Sequence, residues 1–250
     1  MPRRKSTRYV PPPETEVERQ RREVAEGRGF YAPIPPHPDH VRAYLSLYLI
    51  ERQAWGERPE LGALRAGYTD QVDGYPLPIH PGTWDALERP GRVLGKLVDL
   101  LWVKERTDHA LLRGIDPVEL TDMCGVYLRF EAYAPPKGTE RRALETMLQH
   151  GSFPLDKLTD RRECRLVLAV LVDGTVVRCV QYRDDPGEVS TSYHHLLRDK
   201  DTRPQSFIGG DLLVPLLKIT YGLVKNLRPA HVNDDPEHGG MPIVPPPHQH

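Results

Sequence analysis

Residues 165–183, RLVLAVLVDGTVVRCVQYR, constrain the fold more than any other part of this chain. Leu166 to Val172 is an unbroken apolar run. Asp173-Gly174 is a pair favoured in two-residue hairpin turns, whose central positions need positive φ. The returning segment, Thr175 to Arg183, is partly polar. A two-residue turn would set Val172 opposite Thr175, Val170 opposite Val177, Ala169 opposite Arg178 and Leu168 opposite Cys179. The outgoing strand is apolar on both faces, so it is expected inside a sheet rather than at its edge. A lone hairpin does not hold itself in water, so helices should cover it.

A second strand is legible at Val126 to Ala134. Val126, Leu128, Phe130 and Ala132 alternate with Tyr127, Arg129, Glu131 and Tyr133, the pattern of a half-buried strand. Around these elements the chain divides by composition into four regions. Residues 1–37 form a polar, Pro-rich N-terminal arm, with a Glu- and Arg-dense segment from Glu14 to Gly27 that suits a solvated helix. Residues 38–122 read as helical. Asp39 is the expected cap of a helix carrying Val41, Leu45 and Leu49. Leu61–Ala66 reads as a short helical piece, and the proline-punctuated stretch Gly74–Thr83 as irregular. Thr83 caps a brief turn that Pro90-Gly91 interrupts, and Arg92–Arg113 is the longest helical pattern. Asp116, with Pro117 and Glu119 after it, marks a further helix start.

Residues 123–228 form an α+β region. Helices are expected at 139–150 and, capped by Asp211, at 211–226; a polar loop is expected from Asp184 to about Pro204, and a short strand at 205–208. Residues 229–250 are a Pro- and His-containing C-terminal tail. The fold class expected from this pattern is α+β: a helical N-terminal half packed with a small, mainly antiparallel sheet, made of the 165–183 hairpin and the 126–134 strand and covered by helices.

Composition limits the functions open to such a chain. The formal net charge is −1, which gives no global field for a polyanion or a membrane. No window approaches 18 consecutive apolar residues, and the basic N-terminus has no apolar segment behind it, so neither a membrane span nor a secretory signal is expected. The three cysteines, Cys124, Cys164 and Cys179, are an odd number, and in the register above Cys164 faces Arg183 and Cys179 faces Leu168, so those two are not natural disulfide partners. A reducing, cytoplasmic setting is expected.

Candidate chemistry is sparse. Asp184, Asp185, His194 and His195 follow the hairpin and could ligate a divalent metal, which would make the chain a metal-dependent phosphodiesterase or nuclease. Cys179 or Cys164 beside such a histidine would be a thiol nucleophile, and Gly209-Gly210 ahead of a helix could approach a phosphate. The basic arm Arg3, Arg4, Lys5 and Arg8 could clamp nucleic-acid phosphates as a regulator does. The tail histidines His231, His238, His248 and His250 have no fixed geometry. Against these stand the two Pro-rich ends, pre-extended segments that lose little entropy on docking. The expected function is therefore a non-enzymatic binding or assembly protein, without a cofactor, using its terminal arms to contact a protein partner or a second copy.

Overall fold

The computed structural model describes residues 14–66, 71–87, 89–102, 114–134, 161–196, 210–227 and 240–245. Its centre is an antiparallel sheet of six strands: β2 (Glu60–Ala66), β3 (Val72–Pro76), β4 (Met123–Ala134), β5 (Arg162–Leu171), β6 (Thr175–Tyr182) and β7 (Asp185–His195). The strand order is β3-β2-β4-β5-β6-β7. β5 is interior, as its two apolar faces require. Two further short strands, β1 (Phe30–Ala32) and β8 (Met241–Ile243), pair with each other. The described helices are α1 (Glu16–Ala25), α2 (Pro38–Glu51), α3 (Pro81–Leu87), α4 (Pro90–Trp102) and α5 (Leu213–Asn226). None of them is long and apolar enough to cross a membrane.

The α+β class stands, but the expected helical N-terminal half with a small sheet is overturned. Two of the six strands, β2 and β3, belong to that half. Leu61–Ala66 is rich in helix formers, yet it lies as a strand between β3 and β4. Local propensity gives way because the slot beside β4 offers hydrogen bonds and apolar cover together. Gly62 sits opposite Tyr127, and a Cβ there would lie 2.3 Å from the Tyr127 ring. The strand therefore needs glycine at this point.

The hairpin register differs by one residue from a two-residue turn. Val170 pairs with Val176, Leu168 with Arg178, Val167 with Cys179 and Cys164 with Tyr182. The cause lies in the loop. Gly174 adopts φ 86° and donates to Leu171 O at 2.9 Å, while Asp173 Oδ1 accepts from Thr175 N at 2.8 Å. Those bonds form a three-residue loop ending in a left-handed glycine. Slipping by one residue moves every side chain of β6 to the opposite face.

Each sheet face has its own cover. On one, Val126, Leu128, Leu166, Leu168, Val170 and Val176 are buried with α4 and α5 in one cluster. On the other, Val41, Leu45 and Leu49 of α2 bury against Leu64, Val167, Ala169, Leu171, Val177 and Cys179. β4 is therefore buried on both faces along much of its length instead of being half-buried. Its Cys124 is skipped in the pairing with β2, a bulge that re-aims the strand.

Several start signals also resolve differently. His37 Nδ1, not Asp39, accepts the cap hydrogen bond of α2, and Pro90-Gly91, expected only to interrupt the turn begun at Thr83, opens α4. Thr83 lies inside α3. Asp116 accepts from Val118 N at the head of a 3-10 turn, Pro117–Leu120. Asp211 sits in the 3-10 turn Gly210–Leu212 ahead of α5, whose N-cap, Leu212, has no side-chain cap bond. The expected loop after Asp184 is instead the strand β7. The helix expected at 139–150 and the strand at 205–208 lie outside the described residues.

The described parts of the two arms fold onto one another. Phe30 pairs with Ile243 and Ala32 with Met241. Phe30 meets Tyr221 of α5 edge to face at 5.8 Å between ring centroids. α1 buries no residue. It is held instead by a reciprocal cap in which Glu18 N donates to Thr15 Oγ1 and Thr15 N to Glu18 Oε2.

Candidate functional site

The most chemically loaded region is the layer between the C-terminal end of α2 and the sheet. Parity along the strands dictates its composition. Tyr127, Arg129 and Glu131 share one face of β4, and Arg165 occupies the same face of β5 beside Glu131. Burying two guanidinium groups demands carboxylates and carbonyls around them. Residues 52–60, which link α2 to β2, supply both.

Arg165 is fully buried. Its Nη1 donates to Arg52 O at 2.9 Å, its Nη2 to Ala54 O, and Glu131 Oε1 lies 3.4 Å away. Its guanidinium stacks over Trp55 at 4.6 Å. Arg129 Nη2 donates to Arg58 O at 2.8 Å, and its Nη1 is 2.9 Å from Glu57 Oε2. Glu60 is held from three sides: Tyr48 Oη donates to Oε1 at 2.5 Å, Tyr127 Oη to Oε1 at 2.8 Å, and Arg52 Nη2 to Oε2 at 2.8 Å. Both Glu131 oxygens accept from Gly56 N.

A groove of about 680 Å3 opens over this layer, with Arg52, Glu57, Arg58, Glu60 and Arg129 on its polar side and Leu77, Ile79 and Trp84 on its apolar side. Its electrostatics are those of a closed circuit. Arg52, Arg129 and Arg165 meet Glu57, Glu60 and Glu131, and at the rim Arg58 pairs with Asp85. Burial and the neighbouring Glu60 charge push the Tyr48 and Tyr127 hydroxyls well above the usual phenol range, which keeps both as donors to Glu60. The arrangement thus fastens the 52–60 connection to the sheet. Parity on β4 hinted at a polar face, but nothing in the sequence paired Arg129 and Arg165 with residues more than seventy positions away.

The residues singled out in the sequence are placed elsewhere. Asp184 sits at the β6–β7 turn, clasped by Arg162 through bonds of 2.7 to 3.2 Å. Asp185 begins β7 opposite Tyr182, whereas His194 and His195 end it opposite Val176 and Thr175. A strand separates the carboxylates from the imidazoles, and the structure does not bring them together. Among the described residues no three His, Cys, Asp or Glu side chains are grouped as a metal ion would need.

All three thiols are buried. Burial pushes Cys124 and Cys164 up to about 12 and Cys179 up to about 11, so each is protonated at neutral pH, the inert form of a thiol. Gly210 lies in the turn before α5, and Gly209 is outside the described residues. Arg3, Arg4, Lys5 and Arg8 and the tail histidines His231, His238, His248 and His250 are also outside them. Comparison with family models, with curated proteins and with solved structures found no match to this chain.

Proposed function

We propose that this chain is a non-enzymatic binding or assembly protein whose two Pro-containing ends act as a single contact element for a protein partner. The observation that carries this reading is the β1–β8 pair, which roots the N- and C-terminal segments in one clip on the body. Beside the clip, Pro33, Pro35 and Pro36 flank Ile34, which is 69% exposed. Proline-rich backbone is pre-extended, so docking it onto an aromatic-lined groove costs little ordering entropy. Residues 1–13, with Pro11–Pro13, continue from α1, and Pro245–Pro247 continue from β8. Rooting both in one clip raises the effective concentration of the second segment once the first is bound.

The test compares the full chain with one lacking residues 1–13 and 246–250, both carried through native pull-down and mass spectrometry. The trimmed chain is expected to keep its melting temperature and lose the partner. An unchanged set of partners overturns the reading. Gly29→Val gives a sharper version, because a Cβ at residue 29 would lie 2.3 Å from Ile243 O and 2.8 Å from Val24 Cγ2. Splitting the clip in this way should weaken capture while the six-stranded sheet stays folded.

A further inference from the structure

The groove over the 52–60 connection is balanced in charge but not in hydrogen bonds. Arg129 is 3% exposed and stands opposite Glu60 in the β2–β4 register. Of its side-chain nitrogens only Nη2 has an acceptor, Arg58 O at 2.8 Å. Nε and Nη1 are buried without one; Glu57 Oε2, 2.9 Å from Nη1, lies off the line of its N–H bonds. Arg165, in the same layer, instead sets both Nη groups on backbone carbonyls. Leaving buried donors of a guanidinium unanswered is costly, and folded proteins rarely do so without a use.

Arg129 lines this groove of about 680 Å3 beside Arg52 and Arg58, with Leu77, Ile79 and Trp84 on the apolar side. Small-molecule sites are of this size and join an apolar wall to a few convergent polar groups. The apolar wall is also loosely backed. Leu61, Leu77 and Ile79 line a second space, a void of about 10 Å3 against Leu97, Leu101 and Ile219. Side chains beside a void lack contacts on one side, so Leu77 and Ile79 can shift to admit a hydrocarbon body at little cost.

We propose that the groove binds a small monocarboxylate with a hydrocarbon body, its oxygens on Arg129 and Arg58 and its body against Leu77, Ile79 and Trp84. Arg129 needs an acceptor, and a carboxylate oxygen is the strongest one a guanidinium N–H meets. Glu57 and Glu60 share the lining. They repel a dianion such as phosphate about twice as strongly as a monoanion. Arg58 is open to exchange, because its pair with Asp85 is more than half exposed on both sides and contributes little. The terminal segments take no part. A chain lacking residues 1–13 and 246–250 should bind the acid as the full chain does, so this site stands or falls apart from partner capture.

Isothermal titration calorimetry of the full chain with hexanoate, butyrate, hexanol and inorganic phosphate tests the proposal. Hexanoate is expected to bind once per chain. Butyrate should bind about tenfold more weakly, since it lacks two methylenes that would lie on the apolar wall. Hexanol, without the charge, and phosphate, without the hydrocarbon, should each be weaker than hexanoate by about tenfold or more. Arg129→Lys keeps the buried charge but withdraws the Nε and Nη1 donors, and should weaken hexanoate by about tenfold. Arg58→Gln should weaken it several-fold and keep the wild-type melting temperature, because Arg58 is exposed; it decides the matter should Arg129→Lys fail to fold. No binding of hexanoate at millimolar concentration overturns the proposal. So does phosphate or hexanol binding as tightly as hexanoate, butyrate matching hexanoate, or an affinity that Arg58→Gln leaves unchanged.

Discussion

Leu166 and Arg165 are neighbours on β5, yet they enter layers held by different physics. Leu166 points into a largely apolar layer under α4 and α5, in one cluster with Leu128, Val180 and Leu216. Arg165 points the other way, into carbonyls, carboxylates and an indole ring at the end of α2. The dry face can trade one aliphatic group for another of similar volume at small cost. The charged end has less latitude, because removing a guanidinium there leaves the carbonyls and carboxylates it bonds buried without their cation. One sheet thus carries a tolerant side and an exacting one.

The difference can be probed from the largest effect downward. Arg165→Ala is expected to destabilise most, by about 3–5 kcal/mol in urea titration, because it strands two backbone carbonyls and takes the buried cation away from Glu131. Should it cost less than a dry-face truncation, the contrast fails. Leu168→Ala, on the dry face, should cost about 2–4 kcal/mol through lost burial and the cavity left behind, whereas Leu168→Met should cost about 1. Gly62→Ala comes next, at about 1–3 kcal/mol, since its methyl group drives the Tyr127 ring away from Glu60. Tyr127→Phe in the same background should recover only part of this, because the added methyl meets the ring at 2.3 Å as well as the hydroxyl at 2.5 Å.

Alkali gives a smaller effect that tests burial directly. The folded-state values of Cys124, Cys164 and Cys179 lie above the ordinary thiol value of about 8.5. Above that value the unfolded chain binds fewer protons than the folded one. Stability is therefore full below about pH 8.5 and falls as pH rises toward 11 to 12. A urea midpoint that stays flat from pH 7 to about 10 would show these thiols to be accessible. Smallest of all is Asp85→Asn at the groove rim. Its ion pair with Arg58 lies in open solvent, so the melting temperature should not move.

Much of the architecture was written into local pattern. Alternation located β4, an unbroken apolar run placed β5 inside the sheet, and Asp173-Gly174 marked the hairpin turn. The misreadings have a common cause. Leu61–Ala66 is a helix former on its own and a strand only beside β4. The hairpin register turned on whether Asp173 would accept from Thr175 N, which residue identity leaves open. The stretch after Asp184 is polar enough for a loop but alternates once β6 lies alongside it.

The sequence by itself determined the α+β class and the position of the hairpin, because hydrophobic period and turn chemistry act over a few residues. Only the tertiary structure decided the size of the sheet, the pairing of the two ends through β1 and β8, and the partners of Arg129 and Arg165. The partners of Arg165 and the paired ends lie 34 to more than 200 residues apart in the chain, as in Arg165 with Glu131 and Phe30 with Ile243. Their strength comes from excluding water around groups that meet only after the sheet has closed.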